Sequence, residues 1–246
     1  KAGFNFVYKK RAVDTRRYKY LMKGPLASDT DVLALDPESI FSPEYIGADG
    51  FVYTEVTRNT DNYTADQTLW GFYATALFPL SRRIEIMAGV RVEGSSQFVR
   101  TFQLFSASPE LVDARLTTTD VLPIAGVTFK PTRSTVLRGL YARTVSRPEF
   151  RELSPAIQNE VTGGRQIQGN ENLERAVLDN LDLRFEWYPK RGETISVALF
   201  YKRFTSPIEM TVEASAQHTV KPNNAEGAHN LGAELTLRKT LGFVHK

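Results

Sequence analysis

A strict alternation of apolar and polar residues constrains the fold of this chain more than any other feature. In residues 181–187 every odd position is apolar and every even position is charged, and the pattern recurs at 84–93, 195–202 and 233–238. Successive side chains of a β-strand point to opposite faces, so each of these segments has one apolar face and one polar face. The alternation therefore predicts a chain built from amphipathic β-strands.

Prolines join these segments into pairs. Pro79, Pro131 and Pro189 each stand in a short polar connection, where the missing N–H of proline is tolerated. The sequence predicts eight strands, at 1–22, 63–78, 84–102, 119–130, 134–147, 176–188, 194–213 and 224–241. The longer connections are 23–62, 103–118, 149–175 and 214–223. Long antiparallel strands with short turns at one end and long loops at the other are typical of a transmembrane β-barrel of the outer membrane.

Hydropathy agrees with strands and not with membrane helices. The longest uncharged run is 67–81, whereas a membrane helix needs about 20 mostly apolar residues. The mean hydropathy of −0.30 still allows membrane strands, because only alternate side chains of such a strand face lipid. Four aromatic residues lie within two positions of a turn proline: Phe78, Phe129, Trp187 and Tyr188. They predict an aromatic girdle at the periplasmic interface, and the competing interpretation is the core of a soluble β-sandwich.

Several functions are disfavoured by what the sequence contains. The net charge is +3, from 31 basic and 28 acidic residues, without a basic stripe carrying interleaved aromatics, so no nucleic-acid partner is expected. The histidines His218, His229 and His245 show neither metal-ligand spacing nor a partner nucleophile. There is no cysteine. We therefore expect no enzyme activity, no metal site and no cofactor.

An ordered series of motifs in the second half of the chain resembles TonB-dependent outer-membrane receptors. The series is RTVSRPEFREL at 143–153, GNENL at 169–173, NLDLRFEWYP at 180–189, FYKRFTSPIE at 200–209, NN at 223–224 and GAEL at 232–235. The segment GVRVE at 89–93 is similar to earlier strands of the same family. The resemblance covers about residues 60 to 246, and its specificity lies in the order of the motifs.

The resemblance implies active uptake of a scarce nutrient across the outer membrane. Such receptors enclose an N-terminal plug domain in a barrel of about 22 strands. The implied partners are outer-membrane lipid, the receptor's own plug domain, the TonB complex reached through that plug, and a small nutrient ligand such as a siderophore, corrinoid, glycan or peptide. The chain departs from the pattern in having no visible plug, only eight strands and an atypical end at 242–246. We therefore expect residues 1–246 to be a partial barrel domain, from the interior to the C-terminal part of the barrel.

Two other interpretations compete with the receptor. One is a complete eight-stranded barrel with a structural or adhesive role in the outer membrane. The other is a soluble β-sandwich that binds glycans.

The first long loop is acidic. Residues 24–57 contain no Lys or Arg but seven carboxylates, at Asp29, Asp31, Asp36, Glu38, Glu44, Asp49 and Glu55. Seven carboxylates without a counter-charge would give the extracellular mouth a negative field that attracts a cationic ligand or Ca²⁺. The alternative is a solvated loop, because the spacing matches no EF-hand.

The candidates for the ligand entrance come from two loops. They are Asp29, Asp31, Asp36 and Glu38 in the first loop, and Arg151, Glu152 and Arg165 in the loop at 149–175. Ordinary charge pairing within a loop explains the second group equally well. Residues 149–153 are expected to form one helical turn after Pro148.

One strand gives a direct test of the barrel interpretation. Its polar row, Asp182, Arg184 and Glu186, is expected to line the lumen or contact the plug, and its apolar row, Leu181, Leu183, Phe185 and Trp187, is expected to face outward.

Overall fold

Eight long antiparallel strands form one meandering sheet. The structure, a computed structural model, describes residues 1–57, 61–101, 111–159, 166–213 and 219–240. The strands of the sheet, in spatial order, are β1 (Ala2–Val13), β4 (Tyr63–Pro79), β5 (Ile84–Thr101), β6 (Val112–Phe129), β7 (Thr135–Ser146), β10 (Ala176–Trp187), β11 (Thr194–Thr205) and β14 (Gly227–Arg238). Within the described residues β1 and β14 are its two edges, so the sheet is an open wall rather than a closed eight-stranded barrel.

The register aligns the apolar rows of neighbouring strands. Leu183 of β10 lies opposite Gly139 of β7 and Leu199 of β11, and Leu199 lies opposite Ala233 of β14. Residues directly opposite each other share a face, so these rows join into one apolar face. The row Leu181, Leu183, Phe185 and Trp187 is 45%, 52%, 39% and 43% exposed. The expectation that this row points outward from the sheet, and not into a sealed core, is confirmed.

The short connections fall at one end of the sheet. Residues 80–83, 130–134 and 188–193 join consecutive strands at or just after the three turn prolines. Phe78, Phe129 and Trp187 lie at this end and are 51%, 37% and 43% exposed. The described parts of the longer connections lie at the opposite end, which is called the loop end below.

Three predicted strand boundaries are wrong. The segment 1–22 is two strands, because the chain leaves the sheet after Val13 and β2 (Tyr18–Met22) pairs with β3 (Phe51–Glu55) in a separate hairpin. The segment 194–213 is interrupted at Ser206, whose φ of 51° is incompatible with a strand, and it continues as β12 (Ile208–Val212). The strand predicted at 119–130 begins earlier, at Val112.

The loop end carries its own small elements. A 3₁₀ helix at Gly24–Ser28, α1 (Thr30–Leu33) and α2 (Pro37–Ile40) precede β3, and α3 (Phe150–Leu153) follows β7. A second sheet has four strands in the order β12, β13 (Val220–Asn224), β9 (Gln166–Gln168) and β8 (Ile157–Asn159). No helix in the described part of the chain is long and apolar enough to span a bilayer.

The buried core lies on the polar face of the main sheet at the loop end. It comprises Tyr63, Ala65, Val99, Ala114, Leu153 and Leu173. The last two belong to the segment between β7 and β10, so this segment folds back over the sheet. A sequence that alternates along the strands thus leaves its apolar face uncovered and forms a core on the opposite face, where loops pack.

Candidate functional site at the loop end

Residues 147–159 and 166–175 are called the folded-back segment. Its anchor is Leu153, which is 0% exposed and packs with the buried cluster of the sheet. The helical turn expected at 149–153 is present as α3, and the backbone N–H of Glu149 donates to the Glu152 carboxylate at 2.8 Å. This contact satisfies one of the N–H groups that the start of a helix leaves unpaired.

A charge network holds the start of the folded-back segment against the sheet. Arg147 donates to Glu93 Oε2 at 2.8 Å and to Asp120 Oδ2 at 2.7 Å. Arg175, at the end of the segment, also pairs with Asp120, and Arg91 pairs with Glu93 at 2.6 Å. The side chains of Asp120 and Arg147 are 3% and 11% exposed. Buried charges are tolerated only when paired and hydrogen-bonded, and here two carboxylates are shared by three guanidinium groups.

Pro123 explains why the network forms at this place. The ladder between β6 and β7 covers only Ile124–Phe129 and Leu137–Ala142. Proline has no N–H to donate, so the pairing ends at Pro123. Beyond it, Asp120 is bridged to residues 147 and 175 by ion pairs in place of a ladder.

Asparagines connect the folded-back segment to the small sheet. Asn170 donates to Pro222 O at 3.1 Å and to Asn223 Oδ1 at 2.9 Å. Asn224 donates to Glu174 O at 3.1 Å and to Ser206 O at 2.8 Å. A Cβ at Gly169 would lie 2.0 Å from Ser154 O, so only glycine fits there. The folded-back segment and the connection between β11 and β14 are therefore fixed to each other by side-chain amides.

Two cavities accompany this arrangement. The smaller, about 280 Å³, is lined by residues of α3, β9, β12 and β13, among them Arg151, Glu152, Met210 and Pro222. The larger, a groove of about 970 Å³ on the polar face, lies between β1 and the folded-back segment. The candidates Arg151 and Glu152 thus share one cavity, and Arg165 lies outside the described residues.

The acidic candidates in the first long loop have local roles. Asp29 accepts from the backbone N–H groups of Asp31 and Val32 at 3.1 and 3.3 Å, and so caps α1. Asp36 caps α2 in the same way and also accepts from the Ser39 hydroxyl at 2.7 Å. Both are preferred N-cap residues. Asp31 and Glu38 occupy the first turns of these helices and are exposed.

The expectation of a loop without counter-charges is wrong for Glu55. Arg16, which precedes the loop, donates to Glu55 Oε2 at 2.6 Å across the β2–β3 hairpin. The sequence analysis did not predict this pair, because the pair depends on the register of the β2–β3 hairpin, which was not predicted either. The part of the chain that the structure describes contains no cluster of three or more metal-ligating side chains.

The capping role of Asp36 predicts a lowered pKa for its carboxyl group. The hydrogen bond from the Ser39 hydroxyl, followed by that from the Ser39 backbone N–H, lowers the pKa of Asp36 below its ordinary value. A carboxyl whose pKa is lower when folded stabilises α2 above the unfolded pKa, and this contribution is lost as the pH falls through the folded pKa. Carbonyl ¹³C NMR of the aspartates in the whole receptor should give Asp36 a lowered pKa. Ser39→Ala should raise it, and an unchanged titration in Ser39→Ala would contradict the cap.

The polar row of β10 and the described histidine make contacts within the sheet. Glu186 is 6% exposed and pairs with Arg184 at 3.0 Å and with Arg138, so much of the row is internally neutralised. His229 Nδ1 lies 2.7 Å from the Tyr201 hydroxyl. His218 and His245 lie outside the described residues.

The sequence analysis did not select four residues of the charge network: Glu93, Asp120, Arg147 and Arg175. Of these, Arg147 belongs to the RTVSRPEFREL motif.

Known proteins share both sequence pattern and fold with this chain. The profile of TonB-dependent receptor-like β-barrels matches residues 12–244, whereas no curated protein matches the chain. The hemophore receptor HasR of Serratia marcescens, solved with its hemophore HasA and heme, superposes with a TM-score of 0.61 at 11% identity, covering 77% of this chain and 35% of HasR. The ferric-catecholate import receptor Fiu of E. coli K12 gives 0.56 at 15% identity, covering 96% of this chain and 32% of Fiu. The chain therefore spans about a third of the length of these receptors.

Proposed function

The chain belongs to the TonB-dependent receptor-like β-barrel family, and on this premise we propose that it supplies part of the wall and of the extracellular ligand entrance of an outer-membrane receptor for a scarce nutrient. The family match over residues 12–244 carries the proposal. The continuous exposed apolar face supports it, because exposed apolar surface of this extent is stable in lipid and not in water. The same face disfavours the soluble β-sandwich.

The proposal sets the orientation of the wall. The apolar face contacts outer-membrane lipid, the short turns lie in the periplasm and the loop end lies outside the cell. The polar face, with its groove of about 970 Å³, then borders the lumen and the receptor's plug domain, through which the TonB complex acts. In this arrangement residues 1–246 are one part of the barrel domain.

The folded-back segment forms the ligand entrance in this proposal. It lies over the polar face at the loop end, and its α3 side chains Arg151 and Glu152 line the smaller cavity. Fixed ion pairs and asparagine contacts hold the segment in place, and a pre-organised binding surface loses less conformational entropy when a ligand binds. The acidic residues Asp29, Asp31, Asp36 and Glu38 lie outside the cell on the first long loop.

Iron carriers are the first ligand class to test. The names of HasR and Fiu concern heme with its hemophore and ferric catecholates, and both of these ligands carry iron. These similarities concern the fold alone. A first panel of iron carriers is therefore tested beside a second panel of corrinoids, glycans and peptides.

Growth under nutrient limitation tests the proposal. Deleting the gene of the receptor that contains this chain should abolish growth on one ferric carrier supplied as the sole iron source. The intact gene should restore growth, and disruption of TonB should remove it again. A deletion strain that grows normally on both panels, but shows a defect in envelope integrity or adhesion, would contradict uptake and support the structural alternative.

A further inference from the structure

A row of exposed aromatic side chains covers one face of the β2–β3 hairpin. Tyr18 and Tyr20 alternate along β2, and Tyr53 of β3 lies directly opposite Tyr20. The Tyr18 and Tyr53 rings stack with their centroids 4.9 Å apart, and Tyr20 lies 5.2 Å from Tyr53. Phe41, which follows α2, packs against Tyr20 at 5.0 Å. These four rings, Tyr18, Tyr20, Phe41 and Tyr53, are called the aromatic strip.

The aromatic strip remains exposed in spite of these contacts. Tyr18, Tyr20, Phe41 and Tyr53 keep 39%, 43%, 46% and 59% of their surface accessible. The strip lies on a hairpin separate from the main sheet, so it is not part of the apolar face that contacts lipid. A contiguous exposed apolar patch on a loop is typical of an interaction surface.

The surroundings of the strip are negatively charged. The loop that contributes Phe41 and Tyr53 has seven carboxylates and no Lys or Arg over residues 24–57. The guanidinium of Arg16 lies 5.3 Å from the centre of the Tyr18 ring, but Glu55 pairs with it at 2.6 Å. Arg16 is thus paired, and the neighbouring Arg17 pairs with Asp61. Lys19 and Lys23 on the β2 side are outnumbered by the six other carboxylates of residues 24–57, so the net field of the loop favours a positively charged partner.

The form of the surface favours a polypeptide over a small molecule. Small ligands bind in concave pockets that enclose most of their surface. The smaller cavity and the polar-face groove are lined by other residues, and the strip lies on an open face of a two-stranded hairpin. Tyrosine patches with a charged rim are characteristic of protein interfaces, where tyrosine is frequent among the residues that dominate binding.

We propose that the aromatic strip docks a basic polypeptide that carries exposed apolar side chains. Lysine and arginine of the partner face the carboxylates around the strip, and their cationic heads stack on the tyrosine rings. Apolar side chains of the partner cover Phe41 and the exposed ring edges. The docking rests on the extracellular placement of the loop end and is otherwise independent of nutrient import.

Peptide binding to the whole receptor tests this proposal. The probe is a soluble 12-residue peptide in which Lys and Trp are interspersed with Gly, and its Kd is measured by interferometry on immobilised receptor in detergent. The Tyr18→Ser/Tyr53→Ser variant should raise the Kd at least tenfold. Raising NaCl from 0.05 to 0.5 M should weaken binding to wild-type receptor by a similar factor. A peptide with Glu in place of Lys, or Ser in place of Trp, should bind at least tenfold more weakly.

Controls separate this docking from folding and from uptake. Thr54→Ala changes the opposite face of the hairpin and should leave the Kd unchanged. Heat-modifiable gel migration checks that each variant is folded, and growth on the nutrient reports import separately. Equal affinity for wild-type and strip variant, or for the Lys and Glu peptides, would overturn the proposal. Failure of the Lys–Trp peptide to bind wild-type receptor would also overturn it, and would assign the strip to packing against other loops of the receptor.

Discussion

Replacing Asp120 with alanine is expected to release the folded-back segment from the polar face and, under the proposed function, to impair nutrient import. Asp120 is 3% exposed and receives both Arg147 and Arg175, so the substitution leaves two guanidinium groups beside an apolar gap. Removing one partner of a buried ion pair costs about 3–5 kcal/mol, because the remaining charge is uncompensated. We expect the lower part of this range, since Arg147 keeps Glu93 and Arg175 is 32% exposed.

Hydrogen exchange followed by mass spectrometry measures this effect. Protection should fall in residues 147–175 of Asp120→Ala and remain unchanged in β14, because the strand pairing of the wall does not depend on the network. Asp113→Ala is the matched control on the same strand. Asp113 pairs with Arg100 at 2.8 Å, but the two side chains are 42% and 44% exposed. Exposed pairs contribute at most about 1 kcal/mol.

Two outcomes would contradict the role of Asp120. One is normal protection of residues 147–175 in Asp120→Ala, and the other is an equal loss in Asp113→Ala. Asp120→Asn keeps the shape of the side chain and removes its charge. If the charge, and not the volume, of this side chain holds the segment in place, Asp120→Asn should lose about as much protection as Asp120→Ala.

The sequence predicted the wall well where a bilayer imposes two different faces. Leu181–Trp187 alternates strictly, and its apolar row lies on the exposed face as expected. The first part of β6, residues 112–118, has Asp113 and Arg115 on one face and Ala114 on the other. These residues lie at the loop end, where neither face of the strand has to contact lipid, so apolar and polar residues need not alternate. The predicted start of the strand, residue 119, is therefore seven residues too late.

The candidate site was harder to predict because it depends on strand register. The network joins residues that are far apart in sequence: 27 residues separate Glu93 from Asp120, and another 27 separate Asp120 from Arg147. Only the folding of the segment after β7 brings them together. The caps could have been predicted from sequence, since Asp36 followed by Pro37 is a recognisable helix start. The Arg16–Glu55 pair could not, because it requires the hairpin register.

The apolar face gives the second large effect. An arginine at position 199 in place of Leu199 is expected to destabilise the receptor by about 2–4 kcal/mol if the residue lies near the bilayer midplane. Leu199 is 49% exposed and lies between Leu183 and Ala233 in the register, far from both ends of its strand. In lipid such an exposed position has no water to solvate a guanidinium. The loss of stability therefore comes from moving a charge into hydrocarbon and not from lost packing.

The neighbouring residue provides a control for the same substitution. Ala198 points to the polar face, where its partners in the register are Arg184 and Glu234, so Ala198→Arg adds a cation beside one charge of each sign. Urea titration of the whole receptor refolded into vesicles should show the loss for Leu199→Arg and a change below about 1 kcal/mol for Ala198→Arg. Equal tolerance of both arginines would mean that the apolar face does not contact lipid. A larger effect at position 198 would mean that the two faces are assigned the wrong way round.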